Sequence, residues 1–120
     1  MMNEQLIHDW MVSYLSNKLS RDYSDVKTNP AGERKSEFKG HYPDLILGNH
    51  GLVLAIMEVE TEGTITEQRA GEWKKITGLG AKLILMVPRT SKARVIDLLW
   101  KQGIADKASV GSYDINVSMP

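Results

Sequence analysis

Residues 43–60 constrain the fold more than any other part of this chain. Two apolar runs, 43–47 and 52–60, flank Gly48-Asn49-His50-Gly51, and turn residues set between such runs read as a β-hairpin. A three-residue loop, 49–51, with Gly51 in the left-handed region is a common way to close one. In that register Gly48 faces Leu52, Asp44 faces Ile56, and the even-numbered residues share one face. That face carries Asp44, Ile46, Leu52, Leu54, Ile56, Glu58 and Glu60, while the other carries Leu45, Leu47, Val53, Ala55, Met57 and Val59. Both faces are apolar over most of their length, so the hairpin is expected in a sheet covered on both sides. A two-residue loop would instead send Asp44 and Glu58 to opposite faces.

The rest of the chain offers those covers. Residues 3–19 place Leu6, Ile7, Trp10, Met11, Tyr14 and Leu15 at helical spacing. Residues 23–28 are weakly strand-like, 29–32 have turn chemistry, and a charged loop runs on to Gly40. Thr64-x-x-Glu67 is a capping-box pattern that opens a second helix, through about Thr77, with Ala70, Trp73 and Ile76 inward. The run 83–87 inside residues 82–88 is a buried strand. Thr90 or Ser91 caps a third helix with Val95, Leu98 and Leu99 inward and Gly103 as its stop, and 110–117 adds an edge strand. Trp10, Trp73 and Trp100 each fall on an apolar helical stripe, which predicts core or interface packing. Strand 52–60, the second helix and strand 82–88 form a right-handed crossover between parallel strands. The whole reads as one α/β domain over residues 1–120, a mixed sheet flanked by helices.

Composition excludes several classes of function. With no cysteine, disulfide frameworks, thiolate catalysis and Cys-type zinc or iron–sulfur sites are ruled out. The longest apolar run, 52–57, is far below the roughly 20 residues that span a bilayer. The first residues lack the basic and apolar blocks of a signal peptide, so the expectation is a soluble, cytoplasmic protein with no membrane partner. Basic and acidic residues number 15 each, yet residues 1–60 are net −3 and residues 61–120 net +3. From Arg69 to Lys101, eight basic residues (Arg69, Lys74, Lys75, Lys82, Arg89, Lys92, Arg94, Lys101) stand against Glu72 and Asp97. That local excess suits a phosphate backbone, with Arg69, Lys74, Lys75, Arg89, Lys92 and Arg94 as its nucleic-acid contacts.

One corner of the hairpin is chemically unusual. Asp44 opens the first strand while Glu58 and Glu60 close the second, and antiparallel pairing brings these ends together. Carboxylates that close raise one another's pKa, a cost that a divalent cation removes. Hard oxygen ligands favour Mg²⁺, with Mn²⁺ as a substitute, over zinc. His8, His41 and His50 share no metal-ligand spacing.

Pro43-Asp44 followed after a hairpin by Glu58-Val59-Glu60 resembles the PD-(D/E)xK motif of the restriction-endonuclease-like nuclease superfamily. The likeness extends over roughly residues 3–103 and implies a three-layer α/β/α fold with a central mixed β-sheet and an αβββαβ core. It also implies that Asp44 and Glu58 hold the metal, that the backbone carbonyl of Val59 completes the protein ligands, and that Glu4 matches an extra acid from the first helix. Gln68 matches a polar position early in the following helix. The departure is Glu60, which stands where the motif has lysine. Some restriction enzymes of the superfamily carry glutamate there and remain active. The missing cation is then replaced by a second metal on Glu60 or by a lysine from elsewhere, with Lys75 and Lys39 as candidates. The activity implied is metal-dependent hydrolysis of DNA phosphodiester bonds, in which Glu60 orients or deprotonates water. The alternative is a catalytically inactive nuclease-fold domain that binds nucleic acid or protein. So small a chain would choose its target by nucleic-acid shape, through a partner protein, or by forming a homodimer that joins two sites.

Overall fold

The sheet changes from antiparallel to parallel pairing at its central strand, and that change positions the acidic corner. A computed structural model of the chain describes residues 3–29 and 33–115. Its five strands are β1 (Asp25–Thr28), β2 (Leu45–Asn49), β3 (Leu52–Val59), β4 (Lys82–Pro88) and β5 (Ala108–Tyr113), in the spatial order 1-2-3-4-5. β1–β2 and β2–β3 are antiparallel; β3–β4 and β4–β5 are parallel. Each parallel step is made by one helix, α2 (Glu67–Thr77) and then α3 (Lys92–Lys101), while α1 (Glu4–Leu19) precedes the sheet.

The two sheet faces are covered by different helices. On one, Met11, Val12 and Leu15 of α1 pack against Leu45, Leu47, Ala55, Met57 and Val59. On the other, Ala70, Trp73 and Ile76 of α2 and Val95, Leu98 and Leu99 of α3 pack against Ile46, Ile56, Leu83, Leu85 and Val87. The architecture is therefore α/β, with helices on both sides of a mixed sheet. Leu83, Leu85, Val87 and Trp73 are fully buried; each aliphatic contributes roughly 1.5–3 kcal/mol of transfer free energy. Among the described residues, no helix is long and apolar enough to cross a membrane.

The hairpin turn differs from the expected loop. His50 (φ 52°) and Gly51 (φ 82°) form a two-residue loop between the paired Asn49 and Leu52, the double positive-φ geometry that matches strand twist. Such a loop alone would separate Asp44 from Glu58. A β-bulge reverses that outcome: Gly48 pairs with Val53, Leu47 pairs with Ala55, and Leu54 is the extra residue. Leu52 and Leu54 are therefore 66% and 40% exposed rather than facing the core, and Val53 packs toward the α2–α3 side. The close approach at the bulge needs Gly48, because a Cβ there would collide with the carbonyl of Leu52.

Other boundaries shift locally. α2 is capped by Thr66, whose hydroxyl accepts from the Arg69 N–H at 3.1 Å. Thr64 instead serves a short 3₁₀ turn, Glu62–Thr64, through reciprocal bonds with Thr61. Ser91 occupies the N-cap of α3 without a side-chain cap bond. β5 starts at Ala108 and ends at Tyr113; of the strand expected over 110–117, residues 116 and 117 lie outside the described residues, as do 30–32 of the early turn. Only Trp73 among the tryptophans is buried. Trp10 and Trp100 are 55% and 71% exposed, so neither is in the core, because the apolar arc of each helix is wider than the face turned inward.

Candidate active site: an acidic corner held by two helices

The bulge-corrected register carries Leu45↔Met57 one step further and sets Asp44 beside Glu58. The Asp44 N–H donates to Glu58 Oε1 at 3.1 Å, and the Val59 N–H donates to Asp44 Oδ2 at 2.8 Å. Glu60 follows just beyond β3, where its N–H donates to Met86 O at 2.8 Å and its carbonyl accepts from the Tyr113 hydroxyl at 2.7 Å. The corner thus joins the edge of the hairpin to the parallel half of the sheet. Glu58 and Glu60 are buried, at 5% and 1% exposure.

Two helices supply cations from opposite layers. Arg69 of α2 donates through Nη2 to Glu58 Oε2 at 2.8 Å, through Nε to both Glu60 oxygens at 2.9 and 3.0 Å, and through Nη1 to Glu72 Oε2 at 2.7 Å. His8 of α1 lies 3.0 Å through Nε2 from Asp44 Oδ1 and 3.1 Å through Nδ1 from Asp9 Oδ1, and Gln5 donates to the same Asp9 oxygen at 2.9 Å. Each acid of the corner therefore has a partner, which burial of charge requires.

The balance of charge shifts several acidities. Burial, and then the Asp44 charge, push Glu58 well above the usual carboxylate range, with Arg69 opposing. Burial also raises Glu60, against the Arg69 hydrogen bonds. The Trp73 indole N–H has no hydrogen-bond partner of its own but lies close enough to Glu60 to favour the ionised carboxylate. His8 is raised to about 9 by its hydrogen bond to Asp44, against the effect of burial. Burial and neighbouring carboxylates, Glu4 first, raise the Tyr113 phenol to about 12.

Asp44 and Glu58 form the floor of a cavity of about 590 Å³, whose lining also includes His8, Arg69, Glu72, Lys75, His41 and Tyr42. A second cavity of about 510 Å³ adjoins it and is lined by Glu4, Val59, Glu60 and Thr61 together with His8, Asp44 and Arg69. Asp44, Glu58, Val59 and Glu60 are therefore brought together as the sequence indicated, and Lys75 lines the first cavity. Glu4 lines the second, where its Oε1 accepts from the Gly63 N–H at 2.9 Å. Gln68 is exposed and lines neither; the α2 side chain that reaches the acids is its neighbour Arg69. Lys74, Lys92 and Arg94 are exposed and line neither cavity, while Arg89 pairs with Asp114 at 3.3 Å.

Two side chains, His8 and Arg69, pair with these acids in a way that sequence spacing does not announce. His8 is 36 residues from Asp44 and meets it only because α1 crosses the end of β2. Arg69, one of the nucleic-acid contacts expected from sequence, is instead paired with the acids, and its position nine residues after Glu60 on a crossover helix is the available signal. Among the described residues, no group of three or more Asp, Glu, His or Cys side chains is already arranged around a common metal position. The oxygen chemistry nonetheless fits a hard cation: Asp44 and Glu58 each use both oxygens once, and each oxygen has a second lone pair. Comparison with protein-family models and with curated proteins found no match to this sequence.

Proposed function

We propose that this chain is a Mg²⁺-dependent, restriction-endonuclease-like nuclease that hydrolyses DNA phosphodiester bonds at the Asp44–Glu58–Glu60 corner. The observation that carries the reading is the adjacency of Asp44 and Glu58 on the floor of a cavity that also contains Lys75. Two acids so placed repel one another, and the Asp44 charge adds to burial, the larger cause, in raising the Glu58 pKa. Asp44 and Glu58 would hold the metal, with the Val59 carbonyl. A bound divalent cation would polarise the scissile phosphate and lower the pKa of water.

The other residues have roles that follow from their contacts. Glu60 is fully buried and spends both oxygens on Arg69 Nε, so it aims the guanidinium rather than serving as a base in the cavity. Arg69 then stands as a fixed positive charge beside the motif position that lacks lysine, where it organises the acids rather than contacting the phosphate. Lys75 faces the same cavity and attracts the substrate backbone.

A second reading is favoured by that same arginine. One guanidinium satisfies both buried glutamates without a metal, as a catalytically inactive binding module would require. Incubation of plasmid, single-stranded and branched DNA with Mg²⁺ or Mn²⁺ separates the two. Cleavage by the wild type that falls at least about 100-fold in Glu58→Gln supports the nuclease. Binding without cleavage in Mn²⁺ selects the inactive module.

A further inference from the structure

The cavity has a second wall, which neither the motif nor the basic segment of the second half contains. Residues 33–43 form it, and the segment is fixed at its root and at its tip. At the root, the buried Asn29 donates to Ser36 O at 2.7 Å and Pro43 O at 2.6 Å, and accepts from the Lys35 and Ser36 N–H groups at 2.9 and 2.7 Å. Both amide protons and both lone pairs are used, so one side chain pins the segment. Nearer the tip, Phe38 and His41 exchange backbone bonds at 2.8 and 2.9 Å, and Lys39 Nζ donates to Leu79 O at 2.6 Å.

This wall presents an aromatic ring and a cation to the cavity. Tyr42 is 39% exposed, and the Arg34 guanidinium carbon stands 5.2 Å from its ring centroid. Arg34 has no carboxylate partner among the described residues, nor does Lys75 across the cavity on α2. The cavity therefore combines an acidic floor with a rim that carries two cations without a carboxylate partner, an exposed ring, and Glu33, whose charge is paired with Lys35 at 3.1 Å. An acidic floor alone repels a phosphodiester; rim cations hold the flanking phosphates, and an aromatic face takes a base.

We propose that Tyr42, Arg34 and Lys75 form a subsite for one unpaired nucleotide, with the base stacked at Tyr42 and its phosphates held by Arg34 and Lys75. A base inside a duplex has both faces covered and cannot use the ring, so the favoured substrate has an unpaired nucleotide beside the bond that is cut. About 590 Å³ is within the 300–1,000 Å³ typical of small-molecule sites and suits one nucleotide. This inference rests on the nuclease reading of the acidic floor.

Fluorescence anisotropy tests it, with Ca²⁺ replacing Mg²⁺ to prevent hydrolysis. The probes are a labelled oligothymidylate, a matched duplex, and an abasic oligomer of the same length. The wild type is expected to bind the oligothymidylate more tightly than either of the others. Tyr42→Ala weakens that binding about tenfold, Tyr42→Phe restores it, and binding of the abasic oligomer is the same in all three proteins. Arg34→Ala and Lys75→Ala each lower the salt dependence by about one counterion. Tyr42 and Arg34 are exposed, so unchanged melting temperatures establish that the variants fold. A wild type that binds DNA while Tyr42→Ala binds oligothymidylate equally well overturns the subsite and leaves the nuclease reading standing; so does preference for duplex. A wild type that binds none of the probes overturns both.

Discussion

Arg69 and Arg34 line the same cavity in opposite electrostatic states. Arg69 is committed: its Nε, Nη1 and Nη2 groups all donate to carboxylates, two of them buried. Arg34 is exposed, rests on Tyr42, and has no acid beside it among the described residues. A count of positive charges therefore does not identify a phosphate track. A guanidinium that already satisfies three acids organises the floor, whereas one that satisfies none is available to a ligand.

The largest effect expected from this contrast is on Arg69. Arg69→Ala leaves Glu58 and Glu60 buried without their partner, and the stability measured by urea unfolding should fall by about 3–5 kcal/mol. Arg69→Lys should recover part of that loss, since one ammonium cannot reproduce the forked contacts. A loss below about 1 kcal/mol would mean that the guanidinium is not what makes these acids tolerable.

His8 is the second committed cation and gives the contrast a pH signature. Its pKa rises from 6.5 to about 9 in the folded protein, so the folded state holds a proton that the unfolded state releases between these values. That stabilisation is complete below pH 6.5 and is lost as pH rises through about 9, an effect on the order of 3 kcal/mol. The raised Glu58 acts in the same direction, because the folded state also retains that proton above the ordinary carboxylate range. Melting temperatures from pH 6 to 9.5 should fall for the wild type and fall less steeply for His8→Gln.

Gly48 tests the backbone on which both commitments depend. Gly48→Ala forces the Cβ against the Leu52 carbonyl and disturbs the bulge that sets Asp44 beside Glu58. A stability loss of about 1–3 kcal/mol is expected in denaturant. The smallest effect belongs to the uncommitted partner: Arg34→Ala should leave stability within about 0.5 kcal/mol of wild type, since nothing buried depends on it. A larger loss would show that the stack on Tyr42 is structural.

The hairpin and the convergence of Asp44, Glu58 and Glu60 were legible because period-two patterning and antiparallel pairing are local in sequence. The route to that convergence was not. A two-residue loop and a bulge replace the expected three-residue loop, and the parity is the same because the extra residue, Leu54, compensates for the shorter turn. Gly48 beside a turn already rich in glycine was the one trace of it. His8 was illegible because spacing along α1 says which residues share a face, not which strand end that face crosses. Trp10 was misplaced for a related reason: Leu6, Trp10 and Tyr14 extend the apolar arc beyond Met11, Val12 and Leu15, and sequence does not say which part turns inward.

The proposed activity requires that Asp44 and Glu58 bind a divalent cation. Calorimetric titration of the wild type, Asp44→Asn and Arg34→Ala with Mn²⁺ measures this most directly. Saturable binding is expected in the wild type, abolished in Asp44→Asn and unchanged in Arg34→Ala. Absence of binding in the wild type, or equal binding in Asp44→Asn, would contradict it.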